Sequence, residues 1–171
     1  FFAVIRWLKK NILPGVLVFF GLLLMAAVAG EVWLRITRPF AEPQWVSRFD
    51  PENGVIFVPG ALIRHTNHLD FWAENRANHL GFLDREPPAA GSHASYRIAF
   101  FGDSFVEAAQ VPVEKKFHVL LENRWNAENP RRKLETMAFG YSGTGQANQL
   151  PWLELSRPYE PNVIVLVFVS N

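Results

Sequence analysis

Three short polar stretches carry the residue types that acyl transfer needs. Gly102-Asp103-Ser104 ends one apolar run, the glycine-rich FGYSGTGQ (139–146) follows a second, and Ser170-Asn171 follows a third. A serine hydroxyl becomes a nucleophile once a base takes its proton. Backbone N–H groups of a glycine turn and a side-chain amide can hold the oxyanion that then develops. Glycine at Gly140, Gly143 or Gly145 would let the main chain approach a substrate without a Cβ in the way. Alone, each stretch is weak. Gly-Asp-Ser serves equally well as a turn or a helix N-cap, and Gly102-Asp103-Ser104-Phe105-Val106 is not the G-x-S-x-G elbow. Their weight comes from where they sit.

Residues 96–101 (YRIAFF), 133–139 (KLETMAF) and 162–169 (NVIVLVFV) read as strands. The third is apolar throughout, as expected of a parallel strand covered on both faces. Residues 113–126 read as a helix, with Phe117, Leu120, Leu121 and Trp125 on one side. Residues 146–156 read as a second helix, started or kinked at Pro151. This β-α-β-α-β order predicts an α/β fold with a parallel, doubly wound sheet and right-handed crossovers. Parallel strands end on one edge, where open α/β folds bind ligands. Ser104, the Gly143 turn and Asn171 are therefore expected on a common rim.

Before this unit, residues 39–95 are rich in Pro, Asn, His and Trp. FDPENGVIFVPG (49–60) reads as turn, strand and turn, and NHLGFLDREPP (78–88) as a loop with Gly81 at a turn. Trp45, Phe57, Phe71, Trp72, Phe82 and Leu83 call for burial, so this connector is expected to pack on the domain. The expected organisation is 1–38, juxtamembrane segment and membrane helix; 39–95, connector; 96–171, α/β domain.

Residues 12–30 contain no charge. As a helix they reach roughly 28 Å, close to the hydrocarbon thickness of a bilayer. Arg6, Lys9 and Lys10 precede the run, and Glu31, Arg35 and Arg38 follow it. Trp7 and Trp33 mark its edges. Ala27-Val28-Ala29 resembles a signal-peptide cleavage site, but a retained single-pass anchor is the preferred reading. The charge bias predicts a cytoplasmic N-terminus, with the rest in the periplasm if the membrane is a Gram-negative inner membrane. A net charge of +1 leaves no footprint for nucleic acid, and the lack of cysteine excludes disulfides, thiolate metal sites and a cysteine nucleophile. The sequence starts without Met and stops just after an apolar strand, so a longer chain is expected.

With those elements in place, FFGDSFVEAAQVPVEKKFHVLLE (100–122), FGYSGTGQANQL (139–150) and PNVIVLVFVSN (161–171) resemble the first three sequence blocks of the SGNH/GDSL hydrolase family. DPENGVIFVPG and NHLGFLD resemble its membrane-anchored bacterial members, in the same order. The resemblance covers about residues 49–171. It implies a three-layer α/β/α, flavodoxin-like sheet, incomplete in this chain. It implies Ser104 as nucleophile, its own N–H helping to form an oxyanion hole, Gly143 as second donor and the Asn171 amide as third. Asp103 would shape the turn. The implied activity is that of an esterase or O-acyltransferase on an acylated envelope polysaccharide or lipid, with no metal or organic cofactor.

The family's closing Asp-x-x-His has no match here, so no general base is visible. His65, His68, His79, His93 and His118 read as structural or surface residues, with His118 solvent-facing. His65 and His68 flank Thr66-Asn67, but no third metal ligand follows at a suitable spacing. The missing base motivates a second reading: a non-catalytic subunit bracing a larger membrane assembly, such as a bioenergetic or photosynthetic complex. Gly21, Ala26, Ala27, Ala29 and Gly30 would then let partner transmembrane helices pack closely.

Overall fold

The computed structural model describes residues 7, 10–37, 44–67, 69–89 and 96–168. The chain divides into two compact units, Phe1–Ala41 and Glu42–Asn171. The first is dominated by helix α1 (Leu13–Thr37), whose stretch Leu13–Ile36 is 24 residues long with no part of its apolar window buried. At about 1.5 Å per residue it exceeds the roughly 30 Å of a bilayer core. Its charges come late, where Glu31 and Arg35 pair one turn apart at 2.6 Å. By length and composition this helix can serve as a membrane span or as a signal sequence.

The second unit opens with two antiparallel hairpins. The first joins β1 (Ser47–Asp50) to β2 (Gly54–Phe57), and the second joins β3 (Leu62–Thr66) to β4 (Trp72–Arg76). The first turn closes because Asp50 Oδ1 accepts the N–H groups of Glu52 and Asn53 at 3.1 and 3.0 Å, while Gly54 takes a φ of +75°. Three strands follow: β5 (Tyr96–Gly102), β6 (Leu134–Gly140) and β7 (Val163–Leu166). They form one parallel sheet in the order β6-β5-β7. The register pairs Gly102 with Gly140 and Phe101 with both Phe139 and Leu166, so all three strands finish level. The crossovers carry α2 (Ser104–Glu107), α3 (Phe117–Glu128) and α4 (Gln146–Ser156). The α/β class and the parallel pairing agree with the sequence pattern.

Strand alternation sends side chains to two cores. Ala99, Phe101, Met137 and Phe139 pack with Trp152 of α4 and with Ile56, Phe57, Ile63, Phe82 and Leu83. Phe100 and Ala138 face the other way, with Val106 of α2. Residues from the expected connector thus share the main core with the sheet. Polar bonds reinforce the join: Trp152 Nε1–H donates to Asn53 O at 2.9 Å, and Asn75 Nδ2 donates to the carbonyls of Ala109 and Val111. Trp45 and Trp72, expected inside, remain exposed. Trp45 instead lies edge-on to Phe57 and donates to the Tyr141 hydroxyl at 3.3 Å.

Two elements depart from expectation. A short 3-10 turn (Val113–Lys115) precedes α3, which starts later than predicted, and α3 faces opposite to the simple reading. Phe117, Leu120, Leu121 and Trp125 are each at least 40% exposed, while His118 and Val119 are buried. The reason lies in β6, whose outer edge has no neighbouring strand among the described residues. Its N–H groups are taken by side chains instead: Leu134 by Asn126 (2.8 Å), Thr136 by Glu122 (2.7 Å) and Ala138 by Asp84 (2.8 Å). An edge strand must satisfy or hide such groups, and here the polar side of α3 does most of it. His118 is correspondingly not solvent-facing; it is fully buried against Asp84, Nε2 to Oδ1 2.9 Å. The second departure is β7, whose Ile164 and Leu166 are more than half exposed and line an apolar groove with Leu150 and Leu153.

The orientation of α3 has a measurable consequence. Glu122→Ala should cost about 2 kcal/mol in denaturant unfolding in detergent, because the Thr136 N–H loses its acceptor and the Arg85 guanidinium keeps only the Thr136 oxygens. Leu120→Ala on the outward side should cost only about 0.5 kcal/mol. A larger loss for Leu120 than for Glu122 would mean that the helix packs by its apolar side.

Candidate active site

The site begins with two glycines. A Cβ placed on Gly102 would lie 2.5 Å from Val106 Cγ2, and one on Gly140 would lie 2.3 Å from the backbone nitrogen of Glu107. Only without those carbons can the single turn of α2 rest on the ends of β5 and β6. Asp103 caps that turn: its Oδ1 accepts the Phe105 N–H at 3.0 Å, and its carbonyl accepts the N–H groups of Val106 and Glu107. Ala108, at a φ of 43°, stops the helix by returning its N–H to Ser104 O at 2.9 Å. Ser104 is therefore the first residue of a helix, half-buried, directly beyond the end of β5. The N–H at such a position has no intrahelical acceptor.

The turn after β6 is shaped separately. Gly143 has a φ of +77°, and a Cβ there would meet nothing within 4 Å, so its conformation rather than crowding calls for glycine. Thr144 Oγ1 donates to Tyr141 O at 2.7 Å, and the Gly145 N–H donates to Asn148 Oδ1 at 3.2 Å as α4 begins. A cavity of about 280 Å³ lies at the strand ends. Asp103 reaches it from β5, Gly143 to Gln146 from β6, and Val167 and Phe168 from β7. Of the four site residues expected from sequence, Asp103 and Gly143 thus line one cavity and Ser104 adjoins Asp103. Asn171, like Ser170, lies outside the described residues.

Two buried charged residues that meet at the end of α2 carried no signal in the sequence reading. Glu107, the last residue of α2, is buried, and its carboxylate accepts both the N–H and the hydroxyl of Ser142. Burial raises its carboxyl above the ordinary value; the Ser142 bonds and the Lys116 charge oppose that rise. Lys116 is also buried, and its ammonium donates to the carbonyls of Leu83 and Glu107. Burial lowers Lys116 to about 8, against the pull of Asp84, Glu107 and Glu114.

No family model, curated protein or solved structure matches the chain. What the cavity can do chemically follows from its own groups. It offers the Asp103 carboxyl and backbone donors on a glycine turn, with the Ser104 hydroxyl next in the chain to Asp103, and no group of three His, Cys, Asp or Glu residues placed to hold a metal among the described residues. The described histidines are engaged elsewhere. His65 packs between Trp45 and Phe71, His79 bonds Glu86 and Tyr159, and His118 bonds Asp84.

Two outcomes are expected here. Gly140→Ala should destabilise the protein by about 1–3 kcal/mol, because the new methyl meets main chain that cannot rotate aside; unchanged unfolding would refute the close approach. The second concerns pH. Glu107 titrates above its ordinary 4.5 when folded, so the native state holds an extra proton across that window and stability falls as pH rises through it. Gln cannot titrate, so Glu107→Gln should gain on the wild type as pH rises above the ordinary carboxyl value of 4.5. Unfolding midpoints at several pH values test this; a constant or shrinking difference would contradict it.

Proposed function

We propose that the protein is a membrane-anchored serine esterase or O-acyltransferase of the SGNH/GDSL type, acting on acyl esters in the cell envelope. The observation that carries this is the single cavity reached from all three strand ends, with Asp103 and Gly143 in its wall and Ser104 at the adjoining helix start. The strand order β6-β5-β7 is also how a flavodoxin-like sheet begins, and both of its faces carry a core, in keeping with three layers.

In this mechanism Ser104 Oγ attacks the ester carbonyl as a base takes its proton. The oxyanion is received by the N–H groups of Ser104 and Gly143 and by the Asn171 amide. The C–O bond to the alcohol breaks, the alcohol leaves with the proton, and the acyl group stays on Ser104. Water then completes hydrolysis, or another hydroxyl completes transfer. The base is an imidazole from outside the described residues, supplied as in the family by Asp-x-x-His. Helix α1 holds the protein in the inner membrane, N-terminus cytoplasmic and residues 42–171 periplasmic.

Full-length protein in mild detergent should hydrolyse p-nitrophenyl acetate, and Ser104→Ala should lower kcat/KM by about 10³-fold or more. Equal rates for the two proteins would remove Ser104 from catalysis. For placement, the protein should stay in the membrane pellet after alkaline carbonate, and protease added to spheroplasts should digest the larger unit. Protection of that unit would reverse the topology.

A further inference from the structure

Glu107 is 2% exposed, yet it is spent on a neighbouring loop rather than on a charged partner's head group. Its Oε2 accepts the Ser142 N–H and its Oε1 accepts the Ser142 hydroxyl at 3.0 Å. Ser142 is thereby held at main chain and side chain together, immediately before Gly143. A carboxylate suits this task because both its oxygens accept and neither donates. Burying it is costly, and the nearby Lys116 ammonium, seated on the Glu107 and Leu83 carbonyls, offsets part of that cost. Ser104 and Glu107 are the two ends of the same helical turn. The carboxylate therefore ties the element carrying the hydroxyl to the element carrying the glycine N–H.

We propose that Glu107 is a positioning residue that clamps the Ser142–Gly143 turn to the helix bearing Ser104, and so sets where an oxyanion is received. Its chemical consequence rests on the esterase reading; the clamp itself does not.

The test compares wild type, Glu107→Ala, Glu107→Gln and Ser104→Ala as full-length chains in detergent, by amide hydrogen exchange and by p-nitrophenyl acetate turnover. In Glu107→Ala, exchange at the Ser142 amide should rise about tenfold while the strand amides of β5 and β6 hold their protection. Its kcat should fall roughly 10–10²-fold at similar KM. Glu107→Gln can accept the Ser142 N–H through its carbonyl and donate to the Ser142 oxygen, so it should restore most of the protection and most of kcat. Unchanged exchange at Ser142 in Glu107→Ala overturns the clamp. Unchanged kcat in Glu107→Ala, where Ser104→Ala abolishes turnover, overturns the positioning role. If Ser104→Ala leaves turnover intact, the esterase reading falls and hydrogen exchange alone decides the clamp. Should Glu107→Ala fail to fold, Ser142→Ala removes only the hydroxyl bond and should raise exchange at residue 142 about threefold; no rise overturns the proposal.

Discussion

Where α2 crosses the ends of β5 and β6, Gly140 lies against its main chain and Gly102 against the Val106 side chain, and the turn that carries Asp103 into the cavity wall rests on that contact. Side chains at Gly102 and Gly140 would lift the turn off the sheet. Lifted, it could not set the Asp103 cap, the start of the helix at Ser104 and the reach of Glu107 to Ser142 at the same time. The level register of the three strands does the rest, since Gly102 stands opposite Gly140 and the loops leave from a single rim. The constraint is steric, and it needs no charge to operate.

Charge enters along the β6 edge. Asn126, Glu122 and Asp84 take the outward N–H groups of alternate residues 134, 136 and 138, and Glu107 does the same for residue 142 beyond the strand's end. Edge protection and loop fastening are thus one device repeated along one line. This explains why polar residues fill positions that a hydrophobic helix face would ordinarily take. Three of these four acceptors have a basic neighbour: His118 bonds Asp84, Arg85 bonds Glu122, and the Lys116 ammonium lies near Glu107.

Much of this was readable from residue order. Apolar runs bounded by polar turns marked β5, β6 and the start of β7, and the helical reading of 146–156 matches the bounds of α4, with Pro151 inside the helix. The α/β class followed from alternation, and the length of the uncharged run marked α1. What stayed hidden has physical causes. Periodicity in 117–128 identifies a face but not its direction, and the requirement that fixed the direction, the unpaired edge of β6, belongs to tertiary structure. His118 was placed wrongly for the same reason. An apolar β7 could not reveal that Ile164 and Leu166 face an open groove. Glu107 sits in a helix too short to show any period, so only its contact with Ser142 exposes it. Of the expected rim residues, Asn171 falls outside the described part of the chain.

The length of α2 works as a ruler. One helical turn separates Ser104 from Glu107, with Ala108 in the left-handed region as its stop. Each added residue would rotate the acid by about 100° and advance it by about 1.5 Å, swinging it off the line to Ser142. Of the two residues between Ser104 and Glu107, exposed Phe105 is free to vary, while buried Val106 is held by the core. An insertion or deletion there would move the acid off Ser142, so the number of residues in this turn is fixed by geometry.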